Sequence, residues 1–208
     1  MQLTERHVID RTDPRFAVID EAAFKSKNLY NAALYLIRQT YIFEGKYPNY
    51  NEVQRRIKAH EAYKALPSKV SQQVLMLLDK NWKAFFEALK AYHEDPSKFL
   101  SRPKLPKYKH KTDGRNILIY TIQALSGGRG KGALQQGLIK PSGLAITVKT
   151  QQTHVDQVRI VPRNGFYVVE IGAPRHADKD RPRRGQQLGK RCWLPHLTSE
   201  GNQWRKAA

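Results

Sequence analysis

The chain has 208 residues, 37 lysines and arginines against 18 acids for a formal charge of +19, and 40% hydrophobic residues including 10% aromatics. That length suits one domain or two small intertwined ones with a buried core, and the apolar content excludes a wholly disordered chain. The charge opposes compaction by self-repulsion, so a polyanion is the natural partner.

Cys192 is the sole cysteine, so no disulfide forms within the chain and no CxxC pair exists for zinc. Residues Met1–His7 carry no signal-peptide apolar region, and no apolar run reaches the roughly 20 residues that span a membrane. A reducing, cytoplasmic setting without a membrane partner is the expectation.

In chain order, residues 1–17 hold a strand at Gln2–Ile9, ended by Asp13-Pro14. Residues 18–95 read as helical. Leu29, Ala33, Leu36, Thr40 and Phe43 recur at helical spacing, and Gly45 follows as a stop. Asn51 is the expected N-cap of a second, short helix. Pro67-Ser68 opens a long third one that ends at Asp95-Pro96. On it Val70, Val74, Leu77, Asn81, Phe85, Ala88 and Tyr92 form one face, and Leu75, Trp82 and Phe86 another, which predicts packing on two sides. Residues 96–115 form a Pro- and Lys-rich connector.

Residues 116–171 change period. Asn116–Ile122 is apolar on both faces, as a central strand is. Leu144, Ile146 and Val148 alternate with Ala145, Thr147 and Lys149. Gln157–Val161 and Phe166–Ile171 flank Asn164-Gly165, a hairpin signal. The first strand and these late strands are expected to share one sheet, with the helices inserted between them. The fold class is α+β, with the strands in a small barrel or sandwich.

Three stretches bear on chemistry. Lys98, Arg102, Lys104, Lys107, Lys109 and Lys111 lie within 14 residues without an acid, and prolines keep the stretch extended. Such a strand can track a phosphate backbone while Phe99 or Tyr108 stacks on bases, against the plainer reading of a solvated linker. Gly127-Gly128-Arg129-Gly130-Lys131-Gly132 is not a Walker loop: Leu125 and Gly132 stand where that loop needs a glycine and a hydroxyl residue. It reads as a hairpin tip. The acids are scattered, the seven histidines show no metal-site spacing, and no serine has an identifiable base, so neither a catalytic site nor a cofactor is expected.

The order of several segments resembles a known family. These are Ser26-Lys27-Asn28-Leu29-Tyr30-Asn31-Ala32-Ala33-Leu34-Tyr35, Gly45-Lys46-Tyr47, Leu66-Pro67-Ser68-Lys69-Val70-Ser71-Gln72-Gln73, Trp82-Lys83-Ala84-Phe85-Phe86, Arg102-Pro103-Lys104-Leu105-Pro106-Lys107-Tyr108 and Val158-Arg159-Ile160-Val161-Pro162-Arg163. Over residues 1–171 they are similar to TnpB (OrfB) proteins of insertion sequences, RNA-guided DNA endonucleases related to type V CRISPR effectors. The resemblance implies a small wedge-type β-barrel with an inserted helical recognition bundle that holds a guide-type RNA. It also implies contact with duplex DNA beside the target through Tyr50 and Gln54, Lys69 and Gln73, and Thr121. Each of the first two pairs is spaced i to i+4 on one helix face, although an ordinary polar helix face reads the same way. Arg159 and Arg163, flanking the hairpin, suit an RNA backbone.

Past Ile171 the resemblance stops where a RuvC nuclease would follow. Residues 172–208 instead form a Pro- and Arg-rich tail with nine cations and three acids. It reads either as a disordered RNA-binding tail or as a frameshift product. From Asp180 through Gly189 the shifted codons permit Ile-Asp-Leu-Gly-Val-Val-Asn-Asn-Leu-Ala, similar to the first RuvC motif. The expectation is therefore a nucleic-acid binder without a nuclease. The alternatives are the N-terminal part of an endonuclease active only when completed by its RuvC half, and a nuclease-dead guided repressor.

Overall fold

A computed structural model describes residues 3–126, 137–152 and 155–173. The described strands and helices order as β1 (Leu3–Ile9), α1 (Phe16–Glu44), α2 (Tyr50–Ile57), α3 (Glu61–Lys64), α4 (Ser68–Glu94), β2 (Leu118–Thr121), β3 (Leu125–Ser126), β4 (Leu138–Pro141), β5 (Val148–Lys149), β6 (Gln157–Pro162) and β7 (Tyr167–Ala173). The fold is α+β, with four helices between the first strand and the rest. The glycine-rich run at 127–132 and the tail from 174 onward lie outside the described residues.

Local chemistry sets the helix bounds. Gly45 ends α1 in the left-handed conformation, φ 66°, donating its N–H to Tyr41, a backbone state that glycine adopts without a Cβ penalty. The cap of α2 is Asn49 rather than Asn51: its side chain accepts the Glu52 N–H at 3.0 Å. Both asparagines precede a helical run, but only Asn49 stands in the extended backbone that a cap needs. α3 has four residues, too short for periodicity to reveal.

α4 is packed on two sides, against α1 and against β2. Its covered residues are Val70, Ser71, Val74, Leu75, Leu78, Asp79 and Trp82, so the buried stripe is narrower than the apolar pattern suggests and Asn81 faces solvent. Trp82 is fully buried among Tyr41, Tyr47, Phe85 and Phe86, with ring centroids 5.4–5.9 Å away. Phe43 departs from its periodic reading: it is 79% exposed on the last turn of α1.

One antiparallel sheet orders as β1-β7-β6-β2, and a second as β3-β4-β5. Among the described residues they do not close into a barrel. β1 joins the late strands as expected, in register from Leu3↔Ala173 to Ile9↔Tyr167. β6 and β7 form the hairpin around Asn164-Gly165, closed by Pro162↔Tyr167 and by the Arg163 N–H donated to Phe166 at 2.9 Å. β2 is shorter than its apolar run and lies at a sheet edge rather than the centre. It reads as central because α4 covers it. Of the alternating stretch 144–149, only Val148 and Lys149 pair as a strand.

Candidate nucleic-acid interface

The connector is not free in solvent. Its C-terminal part, residues 107–117, runs antiparallel along α1 and is held there by its backbone. The Asn116 N–H donates to the Ala23 carbonyl at 3.1 Å, and the Ser26 hydroxyl donates to the Ile117 carbonyl at 3.0 Å. The Lys27 ammonium donates to the Lys111 carbonyl at 2.6 Å. Asn31 accepts the Lys109 N–H at 3.0 Å and donates to the Lys109 carbonyl at 2.9 Å, so one side-chain amide pairs as a neighbouring strand would. Tyr30 donates to the Lys107 carbonyl at 3.4 Å.

Arg115 anchors the far end. Its guanidinium meets both carboxylate oxygens of Asp20 at 2.7 and 2.8 Å, and the Tyr167 hydroxyl donates to the same carboxylate at 2.6 Å. The Arg115 guanidinium holds the Asp20 carboxyl below its ordinary range. This ties α1, the connector and β7 at one point.

Because α1 grips carbonyls and N–H groups, the connector's cationic side chains are left to solvent. Lys98, Arg102, Lys104, Lys107 and Lys111 are all exposed. Lys98 also reaches Asp95 at 3.3 Å. Lys109 is placed differently from the other cations of the connector: it is half-buried over the Tyr30 ring at 5.3 Å, and burial lowers its pKa.

Aromatics stand beside this stripe. Tyr108 is 43% exposed with the Arg38 guanidinium 5.1 Å from its ring centroid, and Tyr35, three residues before Arg38 on α1, is 59% exposed. A fixed cationic track bordered by exposed rings is the chemistry that single-stranded nucleic acid needs, since phosphates meet the cations while bases stack. Sequence reasoning found the cations and Tyr108 but missed Lys27, Asn31 and Arg38. A polar residue on a helix reads as surface, and nothing local links Asn31 to Lys109.

The other candidate positions separate into groups. Tyr50 and Gln54 are half-buried on α2, where the Gln54 amide donates to the Tyr63 hydroxyl at 3.4 Å. Lys69 is exposed on the first turn of α4; Gln73, one turn on, is half-buried and directs its amide to Met76 at 3.5 Å. α2 packs on α4, so the two pairs share one helical unit. Thr121 is half-buried at the end of β2, opposite Gln157.

Arg163 is exposed at the hairpin. Arg159 is already engaged: Glu170, nearly buried, accepts from it at 2.6 Å and faces Arg6 at 3.4 Å. Its guanidinium is thus shared with Glu170 while its side chain stays 45% exposed.

Among the described residues no three His, Cys, Asp or Glu side chains gather as a metal site would, and no helix is long and apolar enough to cross a membrane. Compared with known proteins, the chain matches no family model and no curated sequence.

Proposed function

We propose that this chain binds RNA along the connector docked on α1, as the wedge-and-recognition part of a TnpB-like protein, and that it binds rather than cleaves. The observation that carries this reading is the division of labour in residues 107–111. Their backbone is spent on Lys27, Asn31 and Tyr30, while Lys107 and Lys111 project outward with Arg102 and Lys104 preceding them. A strand fixed this way binds a polyanion without a further ordering cost.

The resemblance to TnpB proteins supplies the finer proposals. The RNA is of guide type, the β-sheets are the wedge element, and Tyr50, Gln54, Lys69, Gln73 and Thr121 face target-adjacent duplex DNA. Exposed Lys69 suits a phosphate or base edge.

The test is the salt dependence of affinity for a single-stranded RNA. Log affinity falls linearly with log salt, and replacing Arg102, Lys104 and Lys107 together by Gln lowers the slope by about 2, at about 0.7 per phosphate contact. Weak binding indifferent to salt, or a slope untouched by the triple replacement, refutes it. For the guide-type reading, RNA protected by the protein in its host is enriched for one transcript overlapping the 3′ end of its own gene; an even spread of ribosomal and messenger RNA refutes that part alone.

A further inference from the structure

Lys27 has an unusual environment. It is 2% exposed, yet among the described residues it makes no ion pair. Buried lysines are ordinarily matched by a carboxylate. Here one of the three ammonium protons is bonded, to the Lys111 carbonyl, and the ammonium lies 3.7 Å from the centroid of the Phe24 ring. Burial, and then the like charges of Arg115 and Lys111, push its pKa down. Arg115 has its own counter-charge in Asp20, so it draws no anion to Lys27.

Lys27 forms part of the wall of a cavity of about 420 Å3 between α1, the 60–65 segment and the connector. That size falls within the range of small-molecule sites, about 300–1,000 Å3. Lys25 and Lys111 add two more cations to the wall, and Asn28 and Asn31 add amides; Glu61, exposed, is the one acid there. Lys25 shares its charge with Glu21 at 2.6 Å, which leaves Lys27 and Lys111 as the pair without a carboxylate partner among the described residues. The Lys27 ammonium has two protons left, and Lys111 and Asn28 stand with it in the wall; donors of this kind match the oxygens of a phosphate dianion.

We propose that this cavity is a phosphate-binding pocket for a phosphomonoester: the terminal phosphate of a nucleic-acid strand, or that of a free mononucleotide. Only the first source rests on the RNA-binding reading. Lys111 belongs both to the pocket wall and to the cationic track, as its last member, so a strand on the track can deliver its end there.

The test uses the full chain and three forms of one oligouridine: with a 5′-phosphate, with a 3′-phosphate, and with neither. Uridine monophosphate is titrated separately. A terminal phosphate raises affinity about tenfold, as one charge-assisted hydrogen bond does, and Lys27→Met abolishes that increment while keeping the side-chain length. Lys111→Gln, at an exposed position, lowers the increment as well and serves if Lys27→Met does not fold. A Lys27-dependent response to uridine monophosphate with no gain from a terminal phosphate assigns the pocket to free mononucleotides. If all three oligomers bind alike and uridine monophosphate does not bind, the pocket is refuted while the track stands. If no oligomer binds but uridine monophosphate does, the track is refuted while the pocket stands.

Discussion

Replacing Asn31 by Ala separates geometry from charge at the interface. Asn31 contributes two hydrogen bonds to the backbone of Lys109 and none that hold α1 itself. Alanine favours helix, so α1 stays formed. Each lost bond costs about 1 kcal/mol, so docking of the connector weakens by about 2 kcal/mol, roughly 30-fold in its equilibrium. The Lys109 amide, now donated to Asn31, should exchange with solvent up to about 30-fold faster. RNA affinity falls by no more than the same factor, because the variant must re-form the track on binding. The chain's charge is unchanged, so the slope of log affinity against log salt stays where it was. Hydrogen exchange read at Lys109, beside a salt titration of RNA binding, checks both. If affinity falls while Lys109 keeps its protection, or if exchange accelerates while affinity is unaffected, docking on α1 is not what prepares the connector for RNA.

Three further outcomes concern the frame. Trp82→Ala opens a cavity at the centre of the aromatic cluster and should cost about 3–5 kcal/mol; a denaturant midpoint shifted by less than about 1 kcal/mol would mean that the cluster is loosely packed. Gly143→Ala places a Cβ 2.5 Å from Pro67 Cγ, at φ 74°. About 1–2 kcal/mol of backbone strain adds to the clash, so thermal unfolding should fall by several degrees, and an unchanged midpoint would show that the loop moves away freely. In acid, Asp13 is held at about 2 by Arg15 and Asp20 is held low by Arg115. Folded-state values below the unfolded ones stabilise above the unfolded pKa and lose that effect as pH falls. Stability should therefore drop as pH falls from 3.8 towards about 2. A denaturant midpoint that is flat or rising over that window refutes the contribution of these pairs.

The helices were legible because their burial repeats with the helix: Leu29 and Ala33, then Val70, Val74 and Trp82, mark covered faces without any tertiary knowledge. The β6–β7 hairpin was legible from its turn residues. β3 and β4 were not, since they flank a glycine-rich run and are two and four residues long. The cationic stripe could be read from composition, but its attachment could not. Asn31 and Lys109 are 78 positions apart, and no periodicity relates a side-chain amide to a distant backbone. Lys27 carries the same lesson. A lysine in a helix predicts a solvated end, and only the connector lying across it makes it a buried charge.

The pairing of β1 with β7 has a consequence for how the molecule forms. Leu3 meets Ala173, so the four-stranded sheet depends on contacts between the most distant parts of the described chain. Closing so long a loop is entropically costly, and topologies of this kind fold slowly. The helices between the strands reduce that cost once they fold. α1 begins seven residues after β1 ends and brings Phe16 and Asp20 against Tyr167, the first residue of β7. Helical packing should therefore come first and the sheet last, with β1 waiting as an unpaired strand until β7 arrives. During that interval a strand with Val8 and Ile9 is open to wrong partners, and the speed of the helical core sets how long it lasts.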